Sequence, residues 1–288
     1  MNCMILAAGL GMRLRPYTET MPKAAIPFMT VPLACYPLSL LAGESIYKLV
    51  VNTHHLPKKV VSVFEKIGWP SQELIFSNEP DHLLGSGGGI RKALPHLLGN
   101  GDFVVANADE VILPLNDWMM AKVFEQHRTW GSAATLVCMQ HPEVGKKFGG
   151  VWLGTDSEVE CFSKKPVPGL RGLHYLGIVI LSERIKKYFF KEPDREENLL
   201  YDTLTTAMAA GEQVFAAEIK AKWFEMGNPQ DFLQATEYCL QQLKTNSKEP
   251  WVRYLQNIIR KQVSGGIVIE KEIPDLEKRL IDFVKKQT

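Results

Sequence analysis

The 288-residue chain has no apolar run near the roughly 20 residues that a membrane-spanning helix needs, and its first residues show no basic flank leading into an apolar stretch and a cleavage site. These absences predict a cytoplasmic protein with no membrane partner. An excess of one charge is also missing: 33 Lys plus Arg face 32 Asp plus Glu, a net +1, so no global field gathers nucleic acid or anionic lipid. Any anion site must be local. The five cysteines, Cys3, Cys35, Cys138, Cys161 and Cys239, are far apart and form no C-x-x-C pair, so neither a zinc ribbon nor a disulfide framework is supported. No Walker A run, G-x-S-x-G or H-E-x-x-H occurs, and a Rossmann dinucleotide fingerprint lacks its third glycine where Leu14 stands. Internal repeats and low-complexity segments are absent too.

What the chain does have is alternation. Short apolar runs of strand type cover Met1–Ala8, Lys48–Thr53, Glu73–Phe76, Asp102–Ala106, Ser132–Met139, Gly150–Leu153, Gly172–Leu181 and Gln213–Glu218. Helical patterns lie between several of them, at Pro37–Leu41, Lys58–Ile67, Gly89–Leu98, Trp118–Trp130, Glu183–Phe190 and Leu199–Ala210. This order predicts an α/β fold: a Rossmann-like, mixed but mainly parallel sheet with helices on both faces and ligands beyond the carboxyl ends of its strands. After Pro229 the pattern turns helical, at Asp231–Thr245 and Trp251–Val263, then a short strand at Gly266–Glu270 and an amphipathic helix at Pro274–Lys286. We divide the chain into a domain over residues 1–240 and a helical appendage over 241–288.

Five segments carry candidate chemistry. Leu6-Ala7-Ala8-Gly9-Leu10-Gly11-Met12-Arg13, followed by Pro22-Lys23, puts two glycines at a strand exit beside two cations. Backbone N–H groups at such a turn approach phosphate closely, and an Arg fork grips its oxygens. A plain turn and solvated charges fit the same residues. Leu84-Gly85-Ser86-Gly87-Gly88-Gly89 permits close backbone approach to a flat ring, or is simply a loop. Asn107-Ala108-Asp109 delivers a carboxylate at a strand's carboxyl end, where a hard oxygen suits Mg²⁺; Glu110 beside it is an alternative ligand or surface. Lys222-Trp223-Phe224-Glu225-Met226-Gly227-Asn228-Pro229 and the pair Phe148-Gly149-Gly150-Val151 and Phe162-Ser163-Lys164-Lys165-Pro166 complete the set. His54-His55 lacks a cysteine partner at metal-ligand spacing, and His82 lies near the glycine run as a modest contact candidate.

Together these segments resemble the sugar-phosphate nucleotidyltransferase family, from residue 1 to about 238 and in the family's order. The opening run is similar to L-A-A-G-x-G-T-R-L-x-P-x-T with its later P-K, save that Met12 replaces Thr. The resemblance implies the nucleotide-diphospho-sugar transferase fold and transfer of a nucleoside monophosphate from a nucleoside triphosphate to a sugar 1-phosphate, supplying nucleotide sugars for cell-envelope synthesis. It implies nucleotide contacts at Leu6, Ala8, Gly9, Gly11, Gly85, Ser86, Gly87 and Gly88, and catalytic roles for Arg13, Lys23 and Lys165. Mg²⁺ would be the cofactor, held by Asp109 and by Glu225, which stands where the family has Asp. Sugar-phosphate contacts fall on Gly149, Lys164, Lys165, Tyr175 and Gly177. Lys164 replaces a family acid that accepts sugar hydroxyls, and a cation cannot accept them. The departures at Met12, Lys164 and Glu225 leave one alternative open, a catalytically silent relative that binds a nucleotide sugar. Base, sugar and oligomeric state are not legible from these residues.

Overall fold

Adjacent residues of the first strand bury on opposite sides of one sheet. Cys3 and Ile5 pack with Leu49, Val60 and Phe64, whereas Met4 packs with Val50, Ile90 and Leu97. Successive side chains of a strand point to opposite faces, so a run that is apolar at every position needs cover on both sides. The computed structural model, which describes residues 1–264 apart from 117, 155 and 246, supplies that cover with helices.

In chain order, β1 (Cys3–Leu6) is followed by α1 (Tyr17–Thr20), the two-residue strands β2 (Pro27–Phe28) and β3 (Val31–Pro32), and α2 (Cys35–Leu40). Next come β4 (Lys48–Thr53), α3 (Pro57–Ile67), β5 (Glu73–Asn78), α4 (Gly85–Leu97), β6 (Phe103–Asn107), β7 (Val111–Pro114) and α5 (Met119–Trp130). The rest are β8 (Ala134–Met139), β9 (Gly150–Leu153), β10 (Val159–Ser163), β11 (Arg171–Leu181), α6 (Thr205–Ala209), β12 (Val214–Glu218), β13 (Ala221–Phe224), α7 (Pro229–Lys244) and α8 (Pro250–Ser264).

The main sheet runs β12-β8-β11-β6-β1-β4-β5. Only β11 opposes its neighbours in this row, pairing antiparallel with β6 and β8, while β6-β1-β4-β5 and β8-β12 pair in parallel. The expected mixed, mainly parallel sheet with helices on both faces is what the chain adopts. Ile178 of β11 lies opposite Ala106 of β6, so residues 171–176 run past the carboxyl end of β6. There Arg171–Leu173 pair with β9, and the β9–β10 hairpin therefore hangs on the carboxyl side of the sheet.

A separate antiparallel ribbon joins β7 to β13, with Val111 opposite Phe224. Its apolar side shares a core with Phe28, Tyr36, Phe232, Trp251 and Leu255. Asn228 caps α7 by accepting the Asp231 N–H at 2.9 Å, with Pro229 at the first helical position. The expected helices at Asp231–Thr245 and Trp251–Val263 are present as α7 and α8. Residue 240 falls inside α7, and α8 buries Trp251 and Leu255 in the ribbon's core. The expected strand at Gly266–Glu270 and helix at Pro274–Lys286 lie outside the described residues.

Some local readings change. The helix expected from Gly89 starts at Gly85, because the Gly87 and Gly88 amides find an acceptor in the Glu197 carbonyl at 2.8 and 3.2 Å. Residues 183–188 wind as a 3₁₀ helix, and Leu199–Leu204 forms a π-helical turn that passes into α6.

Candidate active site

A cleft of about 300 Å³ crosses the carboxyl ends of β6, β1, β4 and β5. Leu6, Ala8 and Gly9 line it as β1 leaves the sheet, and Asp109 closes the β6 end. The Lys23 ammonium forms an ion pair with Asp109 Oδ2. Lys23 opens a short 3₁₀ turn whose following residues, Ala24 and Ala25, are buried, which anchors the backbone beneath the cation. Two groups chosen from distant segments, 86 residues apart, thus meet.

Glu110 is not a surface residue. Its Oε2 accepts the Trp223 indole N–H at 2.9 Å, and its Oε1 accepts from the Asn107 amide at 3.3 Å. Burial, reinforced by neighbouring Asp109, pushes its carboxyl up to about 7. Gly177 makes this packing feasible: its φ of +72° breaks the register of β11, and a β-carbon there would lie 2.6 Å from Asn107 Nδ2 and 2.7 Å from Glu110 Cγ. Tyr175 stands nearby, its hydroxyl pushed up by burial and by Cys138 and Glu110.

The opposite end of the cleft holds residues that sequence reasoning passed over. Buried Asn52 accepts the Ala7 N–H at 2.7 Å and donates to Glu79 Oε1 at 2.8 Å, while Glu79 Oε2 takes the Leu84 N–H at 3.0 Å. Both line the cleft and tie β1, β4 and the entry to α4 together. Their one sequence signal is that each strand turns polar at its carboxyl end, Asn52-Thr53 in β4 and Ser77-Asn78 before Glu79 in β5. Glu196 lines the same end, reaching over from the segment before α6.

Gly85 and Ser86 line the cleft. Gly87 and Gly88 are corrected: both are buried in the first turn of α4, and their N–H groups are spent on Glu197 rather than offered to a ligand. Ser86 Oγ accepts the Leu199 N–H at 3.0 Å. Gly11 lies in the loop after β1, where its carbonyl accepts from the Thr18 hydroxyl at 2.9 Å. The three histidines singled out in sequence bond to backbone: His54 Nδ1 donates to Glu79 O, His55 Nε2 to Thr18 O and His82 Nε2 to Asp194 O.

Arg13 and Glu225 come together over Gly227, where an added β-carbon would collide with Glu225 Oε1 and lie 2.7 Å from Arg13 Nη2. The β7–β13 register sets Asp109 and Glu225 at one end of the ribbon, Asp109 two residues before Val111 and Glu225 one residue after its partner Phe224. Lys164 and Lys165 follow β10 on the carboxyl side of the sheet; both are exposed, and neither ammonium has an ion-pair partner among the described residues. Ser163 shapes this corner, its carbonyl accepting from Trp152 Nε1 and its hydroxyl from the Lys165 N–H, each at 3.1 Å. Gly149 faces Tyr201, whose hydroxyl lies 3.0 Å from where a β-carbon would sit.

Among the described residues no group of three or more His, Cys, Asp or Glu is set to hold a metal, and no helix is long and apolar enough to cross a membrane. In sequence, the chain is 27% identical over 272 residues to the mannose-1-phosphate guanyltransferase of Yarrowia lipolytica, covering 93% of this chain and 71% of that one. It is 26% identical over 289 residues to the UTP–glucose-1-phosphate uridylyltransferase of Synechocystis sp., covering 96% and 72%. In fold, it is similar to the UDP-glucose pyrophosphorylase of Acinetobacter baumanii, at TM-score 0.69 and 17% identity over 90% of this chain and 98% of that one. The inositol-1-phosphate CTP transferase of T. maritima gives 0.66 and 18%, over 80% and 90%. The nucleotidyl transferase family model matches residues 2–242, nearly the whole of the sheet and cleft just described, and the chain therefore belongs to the nucleotidyl transferase family, among the sugar-phosphate nucleotidyltransferases.

Proposed function

We propose that the protein joins a sugar 1-phosphate to the nucleoside monophosphate part of a nucleoside triphosphate, giving a nucleotide sugar and pyrophosphate. The observation that carries this reading is the Lys23–Asp109 pair at the carboxyl end of β6, beside the β1 exit loop. An α/β sheet places its ligands there, and the family places phosphates there.

In the proposed reaction an oxygen of the sugar phosphate attacks the α-phosphorus. A new O–P bond forms, the bond to the β-phosphate oxygen breaks, and its electron pair leaves with pyrophosphate. The attacking phosphate is already largely ionised at neutral pH, its second pKa being about 6, so no side chain has to remove a proton. Catalysis is then positioning and charge neutralisation. Lys23 and Arg13 would neutralise the triphosphate, Lys165 would hold the attacking phosphate, and Leu6, Ala8 and Gly9 would form the wall along which the nucleotide lies.

The donor set suits Mg²⁺, which takes hard oxygens and commonly only one or two protein carboxylates beside substrate phosphates. Asp109 and Glu225 stand at one end of the ribbon and would hold it. When bound, the ion would offset the negative charge gathered by two phosphates.

The test is a matrix of four triphosphates against mannose, glucose and N-acetylmuramate 1-phosphates with Mg²⁺, scored by pyrophosphate release and by the mass of the product. Release from at least one pair supports the reading. Nucleotide-sugar binding without release from any pair would replace it with a silent binding protein.

A further inference from the structure

We infer that Glu196 reads the base and that the nucleotide is guanosine triphosphate, an inference that rests on the nucleotidyl-transfer reading above. The order of the sheet gives the cleft a direction. From β6 through β1 and β4 to β5 there are three strand spacings, about 14 Å at roughly 4.8 Å each. Lys23 and Asp109 occupy the β6 end and suit phosphate and metal. A triphosphate anchored there extends its nucleoside toward the β5 end, where Leu83, Gly85 and Glu196 lie.

That end is where a flat ring would lie. Gly85 has φ +74°, and a β-carbon on it would lie 2.5 Å from the Glu197 carbonyl, so the glycine lets the backbone of residues 196–197 pack against the entry to α4 and brings Glu196 to the cleft wall beside Gly85 and the partly buried Leu83. Glu79 is already engaged with Asn52 and Leu84. Glu196 is different. Its carboxylate makes no hydrogen bond or ion pair among the described residues, and its Cγ sits 3.3 Å from the position a Gly85 β-carbon would take.

The backbone on either side of Glu196 is clamped. The Arg195 carbonyl accepts from Arg91 Nη2 at 2.7 Å, and the Glu197 N–H donates to the Leu84 carbonyl at 2.8 Å. The Glu197 carboxylate is itself buried, paired with Arg91 and accepting the Thr203 hydroxyl at 2.6 Å. Glu196 is thus an unengaged acceptor on a fixed stem at the edge of the ring's seat.

An ionised carboxylate only accepts hydrogen bonds, and its two oxygens match two donors side by side. Guanine alone among the common bases has such an edge, N1–H next to the N2 amino group. Uracil and thymine offer one N–H between two carbonyl oxygens that a carboxylate repels. Cytosine and adenine offer one amino group beside an acceptor nitrogen. A site whose polar group is matched to a substrate N–H rejects analogues that lack it.

The experiment measures kcat/KM of the full chain for GTP, ITP, UTP, dTTP, CTP and ATP with whichever sugar 1-phosphate turns over, beside calorimetric binding of GTP, ITP and UTP. Inosine lacks only the N2 amino group, so ITP should fall below GTP by about 10- to 150-fold, the scale of one charge-assisted hydrogen bond. Glu196→Gln should bring the GTP-to-ITP ratio to near one. A pyrimidine triphosphate that outruns GTP, or a Glu196→Gln enzyme slowed by the same factor on GTP and UTP, overturns the inference; the second result would move Glu196 to the ribose or to the fold. Turnover with UTP in place of GTP leaves nucleotidyl transfer standing while this inference fails. If no pair releases pyrophosphate, nucleotidyl transfer fails, and the calorimetric GTP-to-ITP ratio still decides Glu196.

Discussion

Arg13 and Glu225 share the space above Gly227, the cation arriving from the loop after β1 and the carboxylate from the end of β13. Only the absent β-carbon lets both occupy it. Gly227→Ala should therefore displace the far ends of two long side chains, which costs the fold little, while moving two groups of the proposed phosphate and metal site. A kcat/KM lowered by about 100-fold, on the scale of losing a preorganised charged contact, with a nearly unchanged Tm is the expected pair of results. Full activity in Gly227→Ala would separate Arg13 and Glu225 from the reaction.

The Lys23–Asp109 pair gives the next test. Lys23→Ala and Arg13→Ala should each lower kcat/KM by at least about 100-fold. Asp109→Asn keeps the shape but removes the charge, so Mg²⁺-dependent turnover should be lost while thermal unfolding still shows one cooperative transition. Glu225→Asp restores the family residue and should keep or raise activity. If Glu225→Ala leaves the Mg²⁺ affinity measured by titration untouched, Glu225 does not reach the metal.

Much of this arrangement was legible because apolar runs and their exits obey local rules. β4 spans Lys48–Thr53 as the run of apolar residues indicates, and Asp109 follows β6 at the sheet's carboxyl end. The ribbon that sets Asp109 and Glu225 together was not legible, since β7 and β13 have four residues each and their pairing joins segments about 110 residues apart. Glu196 was hidden for another reason. It sits in a charged stretch, Asp194-Arg195-Glu196-Glu197, that reads as solvated, and the contacts that fix it at the cleft, its neighbours' bonds to Arg91 and Leu84, join segments about 100 residues apart. Gly87 and Gly88 show the reverse error, because a glycine-rich run looks the same in sequence whether its amides face a ligand or another stretch of backbone.

His174 should make the fold sensitive to mild acid. Its ring packs 4.5 Å from Trp223, 4.8 Å from Phe148 and 5.7 Å from His141, and burial, helped by His141, pushes its pKa down to about 4. The unfolded chain, at 6.5, binds the proton first, so stability is fully present above pH 6.5 and is lost as pH falls toward 4. The loss should be on the order of 2 kcal/mol, below the full linkage because the ring keeps some solvent contact. His141 is also lowered by burial, against Glu143 and with Lys147, and contributes in the same direction. The measurement is therefore the difference in Tm between wild type and His174→Phe from pH 7 to 4. A parallel pH dependence in the two proteins would remove His174 from the account.

The last prediction concerns the sugar. Lys164 follows β10 beyond the carboxyl end of β6, exposed and without an ion-pair partner among the described residues. Ser163 pins the backbone next to it through Trp152 and the Lys165 N–H, so the cation is presented from a fixed corner rather than a loose loop. In the family an acid at this place accepts sugar hydroxyls, which an ammonium cannot do. A carboxylate on the sugar, such as the lactyl group of N-acetylmuramate 1-phosphate, gives Lys164 a partner, and a charge-assisted hydrogen bond contributes about 1.5 to 3 kcal/mol, or roughly 10- to 150-fold. Wild type should therefore prefer the acidic sugar 1-phosphate over mannose or glucose 1-phosphate, and Lys164→Glu should reverse much of that preference. If the neutral hexose phosphates are used as well as N-acetylmuramate 1-phosphate, or if Lys164→Glu changes kcat/KM for all three by one factor, then Lys164 is a solvated edge residue and the sugar is chosen elsewhere, with Tyr175 and the Tyr201 that faces Gly149 as the next side chains to vary.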